Sequence, residues 1–275
     1  MTESKQPHVF AIDSQQHAKA GWQPRHGFEF AKTFHISPIV ADELAHVMAT
    51  MPVAFMPIKQ GESSRWLMVA VLSPVPGKND FLHPNGRWLG GYLPATFRTY
   101  PFKMIHTPEG KRVLGFDSRS DRFVAQAESG DQRFFDDNGA LTPQTEKIVR
   151  FLEVYESSRD VTEKAITALA DAGILKPWRT MLKNPEENPD YLKELFIVDD
   201  KKLKALAPDT LAALAKSGAL GVAYGQLLSL PRLSVFRKLT ELHNEIAKQQ
   251  QPAAVDEVDL DALFGEDGDD TFKFD

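Results

Sequence analysis

The residues best suited to holding a ligand lie between Asn79 and Lys103, where six aromatics, three glycines and three prolines share twenty-five positions. Trp88, Tyr92 and Tyr100, with the guanidinium groups of Arg87 and Arg98, are the types that stack on a planar or peptidic ligand and fix its polar end. The same rings, with Phe81, Phe97 and Phe102, serve equally to fill a core beside a glycine-kinked sheet. Six rings exceed what one pocket needs, so core filling is the stronger reading. Stacking rings and arginines also suit single-stranded nucleic acid. Outside the last twenty-five residues, however, the net charge is only +2, which gives phosphate little attraction.

Other chemistry is sparse. The chain has no cysteine, which removes disulfides and thiolate metal sites. There is no dinucleotide fingerprint, Walker sequence, zinc-protease motif or nucleophile elbow, so the sequence names no catalytic residue, no metal ligand and no cofactor. His8, His17, His26 and His35 recur at a spacing that neither a helix nor a strand would gather. His243 and Glu245, two apart on a helix, point about 200° away from each other and form no ligand pair. The sharpest signal outside a core is the acidic end. From Gln251 onward the charge is −8, yet Leu260, Leu263, Phe264, Phe272 and Phe274 punctuate the acids. A solubilising tail would need only the acids, so these five residues point to a disordered tail that docks on a protein partner.

Several elements position these groups. Residues 1–25 are polar and expected to be flexible, with pairing confined to Val9–Ile12. Ser37-Pro38 predicts a helix start and a helix over 38–50. Strands are expected at 53–56 and 66–72, the second apolar throughout and hence buried on both faces. His83-Pro84-Asn85-Gly86 predicts a tight turn between hairpin arms, with positive φ at Gly86 and an inward Trp88. Gly90-Gly91 predicts a bulge or bend. Further strands are expected near 113–116 and 122–125. Phe134 to Gly139 then repeats the pattern of Phe81 to Gly86 in residue type, either as an equivalent hairpin or, the favoured reading, as the same turn reached twice because Asn-Gly makes it most readily.

Helical periodicity begins at Thr142-Pro143, an N-cap followed by proline at the first helical position. Asp160-Val161-Thr162-Glu163 predicts a second helix start, ended by Gly173. Trp178 is expected to pack inward. A loop is expected at 184–190, a short strand near 194–198, and helices over 199–206, 209–216, 219–228 and 231–249. The fold class is therefore α+β: a β-rich part over 26–141, a helical part over 142–249 sharing its core, and the tail from 250.

An ordered set of short blocks gives this pattern a family likeness. Phe30-Ala31-Lys32, Pro38, Met51-Pro52-Val53-Ala54-Phe55, Asn85-Gly86-Arg87-Trp88, Gly91-Tyr92-Leu93-Pro94-Ala95 and Tyr100-Pro101-Phe102 come first. Phe134 to Gly139, Lys216 to Leu220 and Leu228-Ser229-Leu230 follow. Together, over about residues 27–240, they resemble the SapC family of bacterial proteins. That resemblance implies an accessory role, beside outer-membrane receptors and oxygenase-like enzymes, and supplies no catalytic residues. No segment reaches the length of a membrane span or a signal peptide, so a cytoplasmic protein is expected. The sequence favours a non-enzymatic binding protein. An enzyme or enzyme subunit with a pocket at Trp88, Tyr92 and Arg98 is the alternative, and a homo-oligomer stays open.

Overall fold

The computed structural model describes residues 8–24, 27–60, 63–107, 110–179 and 194–250. It is a mixed α+β structure. Its centre is an antiparallel sheet of β3 (Ile36–Ile39), β4 (Val53–Gln60), β5 (Ser63–Val71), β10 (Leu175–Pro177) and β11 (Phe196–Val198), ordered β10-β11-β4-β5-β3. Met68 to Leu72 are buried, as an unbroken apolar strand requires. Helices α3 (Pro143–Asp171) and α6 (Ala219–Ser229) pack against this sheet.

The helix expected over 38–50 is corrected. Ser37 and Pro38 lie inside β3, which pairs with β5 on one side only. An edge strand tolerates a proline because nothing asks for its missing N–H, and the Ser37 hydroxyl bonds Thr96 instead of capping a helix. Helix starts later, as a 3₁₀ turn at Ala41–Glu43 leading into α1 (Leu44–Val47).

Two smaller three-stranded sheets complete the strands. One runs β1 (Val9–Ala11), β7 (Arg112–Asp117), β6 (Phe102–His106), and the other β8 (Phe123–Val124), β2 (Gly21–Trp22), β9 (Gln132–Arg133). The segment expected to be flexible is thus structured from His8 to Pro24, because Trp22 is an anchor. Its ring meets Phe102 and Phe134 at centroid distances of 5.0 and 5.1 Å. The buried apolar side chains form two clusters, one around the central sheet and one around Trp22, Phe102, Phe116 and Phe134.

Helix α3 ties the two clusters together, with Leu152 in one and Ile166 and Leu169 in the other. Thr142 caps it and Gly173, with φ of +68°, follows its end. The break expected at Asp160–Glu163 does not occur. Its side chains are used elsewhere: the Thr162 hydroxyl donates to the Ser158 carbonyl at 2.7 Å and accepts the Ala41 N–H at 2.8 Å. Glu163 accepts both arms of Arg65 from β5. With no glycine or proline between positions 144 and 171, nothing local stops the helix.

Beyond α3 the chain follows its local signals. Trp178 is buried, Gly218 with φ of +76° separates α5 (Pro208–Lys216) from α6, and α7 (Val235–Gln250) closes the described chain. Between β11 and α5 lies α4 (Asp200–Lys204). His243 on α7 bonds the Asp80 carbonyl at 2.8 Å and pins that helix to the aromatic stretch. The loop expected at 184–190 lies outside the described residues.

The two Asn-Gly segments are one turn built twice. The His83 N–H donates to the Arg87 carbonyl and the Gly86 N–H to the His83 carbonyl, at 2.9 and 2.8 Å. Asp136 with Ala140, and Gly139 with Asp136, repeat those bonds at 2.8 and 3.1 Å. Each loop closes on a single bridge, Leu82 with Trp88 and Phe135 with Leu141, where longer hairpin arms were expected. Each also buries the phenylalanine that opens it, Phe81 in the first cluster and Phe134 in the second, with Leu82 and Phe135 buried next to them. Gly86 and Gly139 sit at φ of +81° and +79°. Alanine at either glycine should therefore cost about 1 kcal/mol for its backbone conformation, and at Gly86 somewhat more, because a Cβ there would displace the Glu29 carboxylate whereas Gly139 has open space. Urea midpoints of the two variants check this, and a Gly139→Ala protein as stable as the parent would break the equivalence.

Asp117, at the end of β7, is fully buried. It accepts Nε and Nη2 of Arg119 at 2.9 and 2.6 Å and the Arg119 amide at 3.1 Å, with Lys103 at 3.5 Å. The Arg119 bonds outweigh burial and hold its carboxyl at about 2, against an ordinary 3.8. A depressed pKa contributes stability that is present above the ordinary value and lost as pH falls through the folded one. Acid titration should therefore weaken the parent more than Asp117→Asn between about pH 4 and pH 2. Parallel stability curves over that range would contradict the assignment.

Candidate functional site

Glu43 organises the candidate site. It sits at the end of the 3₁₀ turn, where its own N–H donates to the Val40 carbonyl at 3.0 Å and its Oε2 accepts the Val40 N–H at 3.2 Å. This reciprocal cap fixes the carboxylate against the core, with 4% of the residue exposed.

The aromatic stretch reaches it from the other side. The Trp88 indole N–H donates to the Tyr92 carbonyl at 2.9 Å and holds the Gly90-Gly91 bend. A side chain at Gly90 would meet that indole nitrogen at 2.7 Å. Pro94 then opens α2 (Ala95–Thr99), whose first amide, Ala95 N–H, donates to Glu43 Oε1 at 2.7 Å. The Tyr92 hydroxyl donates to the same oxygen at 2.9 Å.

Arg98 completes the arrangement. Its Nη2 donates to the Tyr92 oxygen at 2.9 Å and lies 3.9 Å from Glu43 Oε1. The guanidinium carbon lies 5.4 Å from the Tyr92 ring centroid and 5.0 Å from that of Phe151. His46 stacks on Tyr92 at 5.3 Å, nearly parallel. These side chains, with Tyr155 and Ser158 of α3, enclose a cleft of about 250 Å³.

Burial sets the electrostatics. It pushes the Glu43 carboxyl above the ordinary glutamate range, against the lowering effect of the Ala95, Tyr92 and Val40 bonds and of Arg98. Tyr92 is pushed up to about 12, by burial first and by the adjacent Glu43 second. Tyr155, half-buried, is pushed up by burial and by the charges of Glu43 and Glu156. Among the described residues its hydroxyl has no hydrogen-bond partner, and the residue lines the cleft. No group of three or more histidines, acids or cysteines among the described residues could hold a metal.

Of the residues singled out in the sequence, Tyr92 and Arg98 meet in this cleft. Tyr100 lines two adjoining clefts, one of them shared with Arg98. Trp88 is half-buried and lines none of them: it stacks on Phe81 at 5.6 Å and meets Phe97 edge-on. Arg87 is exposed and also lines none. Leu260, Leu263, Phe264, Phe272 and Phe274 lie outside the described residues.

Sequence reasoning missed Glu43, His46, Phe151 and Tyr155. The signal for Glu43 was its place beside Leu44 and Val47, on a face that had to be buried. An acid on such a face needs donors, and those came from a stretch fifty residues away.

An α+β protein with a buried carboxylate clamped beneath an aromatic cleft is thus defined. The SapC family model matches residues 12–235, and the chain belongs to the SapC family. No curated protein and no solved structure matches the chain. Among the described residues no helix is long and apolar enough to cross a membrane.

Glu43→Ala should leave the Val40 and Ala95 amides and the Tyr92 hydroxyl without their acceptor, at a cost of about 3 kcal/mol. Tyr92→Phe should cost about 1 kcal/mol. In the double variant the tyrosine change should add little, because its acceptor is already gone. Additive costs in urea unfolding would show that the Tyr92–Glu43 bond contributes nothing.

Proposed function

We propose that this protein is a cytoplasmic, non-enzymatic binding protein of the accessory type, which holds a small ligand in the Glu43–Tyr92–Arg98 cleft. The observation that carries this reading is the state of Glu43. Oε1 accepts two donors and Oε2 one, all from the protein itself. These bonds take three of the carboxylate's roughly four lone-pair sites, leaving a general base a single site on Oε2, and a nucleophile needs a base within hydrogen-bond reach. The cleft instead presents a fixed cation, stacked rings and an unpartnered tyrosine hydroxyl, which is the equipment of recognition. The rival reading, an enzyme using this pocket, would have to act through the one lone pair left on Glu43 Oε2 or through another group of the cleft.

Val154 lines the cleft and is 66% exposed, so Val154→Trp can fill the space without disturbing the core. Native mass spectrometry of the purified full chain should find a small molecule on the parent that Val154→Trp lacks. The molecule should be recovered chemically unchanged after incubation. Equal retention by the variant, or recovery as a converted product, contradicts the reading.

The acidic segment from Gln251 is assigned the contact with a protein partner, on the strength of its −8 charge and its leucine and phenylalanine anchors. A chain truncated after Gln251, and one with Leu263 and Phe264 changed to alanine, should both lose a partner that the full chain recovers at low salt. Unchanged recovery by both would reduce the segment to a solubiliser.

A further inference from the structure

A second cleft, of about 420 Å³, lies on the other side of Arg98 and Phe151. Its apolar lining is Trp22, Tyr100, Phe102, Ile148 and Phe151, and its charged lining is Arg98, Arg122 and Lys147. Three cations face this space, and no carboxylate is among the lining residues.

Arg122 is the informative one. It is half-buried, and burial lowers its pKa, the sign of a cation held at a cost. Nε and Nη2 donate to the Gln23 carbonyl at 2.8 and 2.5 Å, and Nη1 donates to the Tyr100 carbonyl at 3.1 Å. Those are neutral acceptors. Among the described residues Arg122 forms no ion pair, and neither does Lys147, which stands exposed at the cleft's edge on α3. Elsewhere the chain behaves differently. Asp117 is matched by Arg119 and Lys103, Glu163 by Arg65, and Glu156 by Arg159. The adjacent Asp121 carboxylate only partly offsets the burial of Arg122, and it lines the neighbouring cleft rather than this one; a partly desolvated charge that is not fully matched is unfavourable. On this side of Arg122 no carboxylate of the described residues lines the cleft, which leaves room for an anion from outside.

We propose that this cleft binds a small anion carrying a flat apolar body, such as an aromatic carboxylate or sulfonate. The body lies against the aromatic floor and Ile148, while the anionic head faces Arg122 and Lys147. A guanidinium already fixed by carbonyls loses little freedom when it meets such a head, to which it has two N–H groups left to offer, one on Nη1 and one on Nη2. The volume fits a ligand of two or three rings. The proposal stands on Arg122 and Lys147, neither of which lines the Glu43 cleft, so it does not depend on the function assigned to that cleft.

Two probes of nearly equal body separate charge from hydrophobicity: anilinonaphthalene sulfonate and its uncharged relative, N-phenyl-1-naphthylamine. Fluorescence titration of the full chain should show saturable binding of the sulfonate, tighter than that of the neutral probe and weakened by salt. Lys147→Glu should weaken the sulfonate about fivefold to tenfold and leave the neutral probe unchanged. Lys164→Glu makes the same charge change on the same helix, about 25 Å away along its axis, and should alter neither. Ile148→Trp should exclude both probes. Lys147 is exposed, so its variant reports on binding even if Ile148→Trp fails to fold. The proposal is overturned if the sulfonate does not saturate, if the neutral probe binds as tightly, or if Lys147→Glu and Lys164→Glu behave alike. A folded Ile148→Trp protein that still binds the sulfonate also overturns it.

Discussion

A buried carboxylate needs donors, and meeting that need is what joins the two halves of the candidate site. Glu43 lies where its own turn supplies one amide and the start of α2 supplies another. A helix N-terminus carries a partial positive charge and unpaired N–H groups, so an internal carboxylate is a natural cap for so short a helix. Once Ala95 is held there, Tyr92 and Arg98 have few places to go: one donates to Glu43, and the other donates to Tyr92. The rings of Tyr92 and Phe151 then flank the guanidinium carbon. The cleft is the residue of this constraint.

The long helix supplies the second constraint. Because α3 runs unbroken through both apolar clusters, Phe151 and Tyr155 stand at fixed positions opposite Tyr92 and Arg98. A break at Asp160 would have uncoupled the two clusters. The pairing of Glu163 with Arg65 and the Thr162 contact with Ala41 anchor the helix across its second half. The cleft beside Arg122 uses the first half of the same helix, so both clefts share one wall.

Legibility followed the range of the interaction. The turns at Gly86 and Gly139, the cap at Thr142 and the stops at Gly173 and Gly218 are written in four or five adjacent residues, and they stand as expected. The apolar run of β5 likewise announced its own burial. Ser37-Pro38 misled because a helix-start signal and an edge strand accept the same pair, and the choice was made by pairing with β5, thirty residues on. Asp160–Glu163 misled because its side chains found tertiary partners. Tyr92 and Arg98 could be picked out by type, but Glu43 could not. An acid near a helix start has an ordinary explanation, and its donors at positions 92 and 95 are invisible until the chain is folded. The one clear repeat, Phe81–Gly86 and Phe134–Gly139, proved to be equivalent down to individual hydrogen bonds, a stronger correspondence than residue types alone suggested.

The claim on which the site rests is that Glu43 is a desolvated carboxylate held by donors from both sides. Carbon-detected NMR titration of its side-chain carboxyl in the full chain tests this most directly. The midpoint should lie above the ordinary 4.5, because burial outweighs the donors, and should rise further in Tyr92→Phe, which removes one donor to the charged form. A midpoint at or below 4.5, unmoved by the Tyr92 change, would mean that the carboxylate is solvated and that nothing organises the cleft.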